Sequence, residues 1–211
     1  MLKILNIFIG ALLYISIHDL PSHALPAQNK TISYSLPINH IGIMDTCGSQ
    51  TTLSIKIPEK FKPLQPIEAA QNTLEFIPNG EEPSSWSEII TINIFPGNNM
   101  KADEFYNNMK EMVSSNPSVQ ILEENSHSYE RYQEVKSGWA YRDHGRQEIL
   151  CMRYYSGPSD CCGIQYARAV SPQEDSKQAL AQAKEFLNEI SKVLDGKKVN
   201  DEWISSPKES K

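Results

Sequence analysis

The side chains best equipped for chemistry fall in two short stretches, CMRYYSGPSDCCGIQ at 151–165 and YRDHGRQE at 141–148. In the first, Cys151, Cys161 and Cys162 could ligate a metal, run thiol redox chemistry or form disulfides. Structural zinc sites take ligands in pairs at C-x2-4-C or H-x3-5-H spacing. An adjacent cysteine pair with a scattered His144 does not fit that spacing, so no metal and no cofactor are expected. The C-x-x-C pair of thioredoxin-type redox centres is also missing. In the second stretch Asp143 could orient His144 as a general base, with Arg142, Arg146 and Glu148 nearby, as in a small secreted hydrolase. Neighbours on an extended chain point apart, however, and Asp143-His144-Gly145 reads as a hairpin turn. His40 and His127 have no second histidine at ligand spacing. No G-x-S-x-G, H-E-x-x-H, phosphate-loop or dinucleotide glycine pattern occurs. No catalytic set is expected, and His144 with Asp143 is the alternative.

What the cysteines become depends on where the chain is delivered. Lys3 precedes an apolar run from Ile4 to Ile17, interrupted by Asn6, Gly10 and Ser16. That run is short of the roughly 20 apolar residues that a spanning helix needs. Pro21 and the small-x-small Ser22-His23-Ala24 follow it, so residues 1–24 read as a secretory signal and the mature chain starts near Leu25. The expected destination is the periplasm or the exterior, without stable membrane insertion after processing. The short signal fits a bacterial source. An exported chain oxidises its cysteines in pairs, so Cys47 is expected to bond Cys161 or Cys162. The closed loop of more than 100 residues would contribute about 4–5 kcal/mol in the chain-entropy model.

Composition sets further limits. The 211 residues carry a net charge of −6 with 39% hydrophobic and 22% charged residues, globular values, and no run of five or more basic residues. Nucleic acid is therefore not an expected partner.

The elements that must position these groups are mostly strands. Thr51–Pro58 alternates Leu53, Ile55 and Ile57 with polar residues, and 73–78 and 87–95 supply two more strands. Helical spacing of Ala102, Phe105, Tyr106, Met109, Met112 and Val113 predicts a helix over 101–114, ended by Asn116-Pro117. Strands are expected at 119–123, 129–135, 139–143, 147–155 and 162–170. Ser171-Pro172-Gln173-Glu174 reads as a capping box that opens a long helix stopped by Gly196. The order implies one globular domain over 25–196, followed by a flexible tail over 197–211. Its class is α+β: a mostly antiparallel sheet covered by helices as an α/β/α sandwich, with one long C-terminal helix.

The W-x-E-x-x-T strand from Trp86 to Thr91, the hairpin-rich sheet and the closing helix resemble the PsbP/Mog1-like α/β/α sandwich group of small exported domains. The resemblance covers about Thr51 to Leu194 and implies a binding or accessory module; it transfers no catalytic residue.

Placing Tyr155 opposite Cys161 collects Leu150, Met152 and Tyr154 with Cys162, Ile164 and Tyr166 on one face of a hairpin, and this is the expected register. Cys161 and Cys162 then point to opposite faces. Cys151 and Cys161 share a face about 13 Å apart along the strand, too far for a disulfide without a bulge.

Tyr129, Tyr132, Trp139, Tyr141 and Tyr155 crowd into consecutive strands, and such rings combine apolar area with a polar tip, as recognition surfaces require. Together these features predict a secreted or periplasmic binding protein that engages a partner protein or an envelope or host component.

Overall fold

A computed structural model describes residues 33–34, 41–44, 51–64, 73–96, 100–129, 132–143, 145–157, 160–199 and 202–205. Its main body is a seven-stranded sheet of β4 (Phe61–Pro63), β5 (Thr73–Pro78), β6 (Glu88–Pro96), β7 (Val119–Ser128), β8 (Gln133–Asp143), β9 (Arg146–Ser156) and β10 (Asp160–Val170). The strand order is β4-β5-β6-β10-β9-β8-β7, antiparallel throughout. Two helices, α1 (Ala102–Val113) and α2 (Ser176–Ile190), cover it. A second sheet has the order β1-β2-β3-β11-β12, from Ser33–Tyr34, Ile41–Met44, Thr51–Ile55, Ser191–Val199 and Glu202–Ser205. The expected α+β sandwich is the observed one.

The helices bury opposite faces. Phe105, Tyr106, Met109 and Val113 of α1 pack on Trp139, Leu150, Met152 and Tyr154. Ala179, Leu180, Ala183 and Leu187 of α2 pack on Ala140, Ile149, Cys151 and Ile164. The first turn of α1 has no side-chain cap of its own. Its orphan N–H groups are taken by the sheet instead: Ala102 N donates to Ser156 Oγ at 2.9 Å and Asp103 N to Gln133 Oε1 at 3.4 Å.

Four expectations are corrected. Residues 129–135 and 139–143 are not separate strands, because β7 runs to Ser128 and β8 is unbroken from Gln133. The chain turns between them, with Tyr129 N donating to Tyr132 O at 2.8 Å. The second helix begins four residues later than its capping box predicts. Residues 171–174 form a turn, and Asp175 is the cap, its Oδ1 accepting from Lys177 N at 2.9 Å and Gln178 N at 2.8 Å. That helix also stops early, at Ile190. Ser191 turns extended, and Val193 and Leu194 pair with Leu53 and Thr52. Backbone pairing with β3 wins over helical period there, and Gly196 sits on a strand opposite Ser205.

The fourth correction is the β9–β10 register. Cys161 pairs with Ser156 and Cys162 with Tyr155, one residue from the expected alignment. The slip reverses every side chain: Cys151, Tyr155, Cys162, Ile164 and Tyr166 face α2, while Leu150, Met152, Tyr154 and Cys161 face α1. With both faces covered, nearly every residue of β9 is buried. An apolar count on one face therefore cannot select the register.

Candidate functional site

On the α2 side, a cavity of about 220 Å³ lies between the helix and strands β7–β9. β-Alternation aims Lys136 and Arg153 into it from neighbouring strands, where they are direct cross-strand partners. Lys184 reaches it from α2. A bulge between Ile121 and Glu123 resets the face of β7, so Glu123 points to α2 and Glu124 to α1. Glu123 grips Lys184 Nζ with both oxygens, at 2.7 and 2.8 Å. Glu124 takes Lys110 at 2.8 Å and the Tyr106 hydroxyl at 3.0 Å on the other side of the sheet.

Glu134 organises the rest. Its side chain is 4% exposed. Oε1 accepts from Arg153 Nη2 at 2.9 Å and Nε at 3.1 Å, while Oε2 is 3.1 Å from Lys136 Nζ. Arg153 Nη1 also donates to Ser191 Oγ at 3.3 Å. The cavity and its rim thus carry Lys136, Arg153 and Lys184 against Glu123 and Glu134, one positive charge in excess.

Cys151 lies against this charge. Burial pushes its thiol up to about 12, against a smaller lowering by Arg153 and Lys184. It stays protonated at neutral pH and is a poor nucleophile. Burial likewise lifts Cys161 to about 12, on the opposite face. No disulfide joins Cys151, Cys161 and Cys162. The expected partner Cys47 lies outside the described residues, as does His40.

The aromatic candidates divide between core and rim. Trp139 is 4% exposed under α1, its Nε1 donating to Ser137 Oγ at 2.6 Å and its ring 6.1 Å from Tyr106. It is core rather than recognition surface, because an odd position on β8 faces the helix. Tyr141, on the same face near the strand end, is half-buried. Tyr155 is buried facing α2, and Arg153 lies 5.8 Å above its ring. Tyr129 and Tyr132 stack at the β7–β8 turn, with centroids 4.4 Å apart and planes 18° apart. Tyr132 contacts Tyr155 at 6.3 Å, and the Tyr129 hydroxyl stands 3.5 Å from Glu134 Oε2. Tyr129, at 47% exposure, is the exposed large apolar side chain among the described residues. His127 is exposed beside it, ring centroids 6.4 Å apart. An aromatic rim thus runs into the charged cleft through Glu134 and Arg153.

His144 lies outside the described residues. Around it, Asp143 pairs with Arg146, and Gly145 has φ 81°, as a tight hairpin demands. The charged neighbours separate to opposite faces. Arg142 binds Gln147 Oε1 at 2.8 Å and Ser176 Oγ at 3.3 Å beside α2. Arg146 lies 4.6 Å over the Trp86 ring on the α1 face, its Nε 2.7 Å from Glu148 Oε1. Glu123, Glu134, Lys136, Arg153 and Lys184 escape a reading of the sequence because only strand register and helix placement bring them together. Their one local signal is the Glu134-x-Lys136 spacing of a shared strand face.

Among the described residues no three of His, Cys, Asp and Glu gather as a metal-binding group, and no helix is long and apolar enough to cross a membrane. No family model matches the chain, and no curated protein matches it significantly. Among solved structures it is similar to LpqN of Mycobacterium tuberculosis, which is involved in cell envelope biogenesis: 10% identity, 73% of this chain and 90% of that one covered, TM-score 0.42. The cyanobacterial PsbP protein of Synechocystis sp. PCC 6803 aligns at 10% identity over 82% of this chain and 98% of that one, TM-score 0.43. A Pseudomonas aeruginosa protein of unknown function, PA94, aligns at 10% over 75% and 94%, TM-score 0.41. These likenesses concern the arrangement of strands and helices, and no activity or partner follows from them.

Proposed function

We propose that this chain is an exported, non-catalytic binding protein, secreted or periplasmic, that engages a partner protein or an envelope or host component through the Tyr129–Tyr132 rim and the adjoining cleft. The carrying observation is that the exposed Tyr129 ring is held in place. It is stacked on Tyr132, bonded through its own backbone N–H, and has its hydroxyl close to Glu134. An aromatic side chain already fixed in one orientation loses little entropy on binding, which is how anchor residues reach high affinity. The ion pairs behind it keep Arg153 and Lys184 in fixed positions for polar contacts at the rim.

The test places a photo-crosslinking residue at Tyr129 and, as control, at the exposed Asn107 on α1, in cells that express the full chain. A discrete adduct at Tyr129, absent at Asn107 and lost on Tyr132→Ala, is the expected result. Adducts of equal yield at both positions, or none at Tyr129, would overturn the reading. N-terminal sequencing of the exported product should begin near Leu25; an intact Met1 on a cytosolic product would remove the export half.

A further inference from the structure

A second cavity occupies the α1 face of the sheet, at the end away from α1. Its floor is a straight row of three polar residues, one per strand: Glu75 on β5 pairs with Thr91 on β6, and Thr91 pairs with Gln165 on β10. Neighbouring strands lie about 4.8 Å apart, so the three side chains stand in line over roughly twice that span. Trp86, Ile89 and Ala167 form apolar walls. The space is about 150 Å³, room for roughly five water-sized groups at about 30 Å³ each.

The floor is rich in oxygen acceptors. Gln165 commits an amide N–H to the Tyr154 hydroxyl at 3.1 Å, which leaves its carbonyl oxygen. Thr91 is 2% exposed. Among the described residues its hydroxyl and the Glu75 carboxyl have no side-chain hydrogen bond, and Glu75 has no ion pair. Thr91 and Gln165 are buried and Glu75 is half-buried, so the row sets oxygen acceptors into an otherwise apolar face, where desolvating them without a donor costs stability. No cation lines the space. An anion would meet an uncompensated carboxylate there, and a purely apolar guest would leave the oxygens dry. An ammonium group brings three N–H donors together with the missing charge.

We propose that this cavity binds a small primary ammonium compound with a short apolar body. The ammonium sits on Glu75, Thr91 and Gln165, and the body rests against Trp86, Ile89 and Ala167. Burial holds the Glu75 carboxyl above its ordinary value. Affinity therefore rises with pH as Glu75 ionises and levels off while the amine stays protonated. Other charged groups around the row are Lys62 on the same face of β4, Arg146 stacked on Trp86 and paired with Glu148, and Glu81, whose carboxylate accepts from Ser87.

The probe is n-butylammonium, titrated into the full chain by calorimetry and by backbone amide NMR, with n-butanol and butyrate as controls of matched shape. Butylammonium should bind at least about tenfold more tightly than either control, the range of a charged hydrogen bond. It should tighten as pH rises through the raised titration of the Glu75 carboxyl. Glu75→Gln should abolish the preference with an unchanged thermal midpoint, and Thr91→Val should weaken it severalfold; the second variant carries the test if the first fails to fold. Equal binding of butanol, retention of the preference in Glu75→Gln, or amide shifts confined to the cleft around Lys184 would each overturn the site. The cavity is on the opposite face from the Tyr129 rim, so Tyr129→Ala leaves butylammonium binding intact, and the two proposals fail independently.

Discussion

Tyr154 packs its ring against Gly163, its cross-strand partner on β10, so that a Cβ at position 163 would meet the ring at 2.6 Å. The glycine serves here by close approach. Tyr154 is fully buried, its hydroxyl near Met109 Sδ at 3.2 Å and Met152 Sδ at 3.4 Å, and cannot swing away. Gly163→Ala should destabilise the protein by about 1–3 kcal/mol, the usual cost of overpacking. Gly157→Ala, where nothing lies within 4 Å, should change stability by under about 0.5 kcal/mol. Urea unfolding of the two variants side by side checks the difference.

Glu134 is the shared partner of Arg153 and Lys136, and Arg153 is only 13% exposed. Glu134→Gln should cost roughly 3–5 kcal/mol, because it leaves a buried guanidinium without its carboxylate. Adding Arg153→Met should recover much of that loss. A double-mutant cycle in denaturant measures the coupling; additive losses would mean that the pair does not act as a unit.

Asp175, and not Ser171, caps α2. Asp175→Ala should lower stability by about 1 kcal/mol, whereas Ser171→Ala should change it by no more than a few tenths, as for a turn residue away from a cap. Thermal melts distinguish the two.

The buried thiols predict an alkaline weakness. Cys151 and Cys161 are raised to about 12 in the folded protein, against about 8.5 for a free thiol. Below about pH 8.5 both states hold the proton and stability is undiminished. Above it the unfolded chain ionises first, so stability falls as pH rises toward 12. Buried Tyr154 and Tyr155 act in the same sense. Denaturant midpoints across pH 8 to 12 should decline, less steeply in Cys161→Ala. Iodoacetamide should label the native thiols far more slowly than the unfolded ones at pH 8.

The residues themselves dictate β5, β6 and α1 almost to the boundary, because Thr73–Pro78 and Glu88–Pro96 are β-branched and apolar runs bounded by turn residues and Ala102–Val113 buries one helical stripe. The sandwich class follows from that order of elements. The β9–β10 register did not follow, since helices cover both faces and the apolar pattern of Cys151 to Tyr155 is equally content with either slip. Nor did the end of α2: the apolar period continues through Val193 and Leu194, but β3 offers those residues a backbone ladder. The same limit explains the sites. The sequence puts Tyr129 and Tyr132 on a strand rather than at a turn, and Glu134 meets Arg153, and Glu75 joins Thr91 and Gln165, only through the β8–β9, β5–β6 and β6–β10 registers. A local pattern decides which way one strand faces; which side chains meet across strands is decided by the packing that fixes all their registers together.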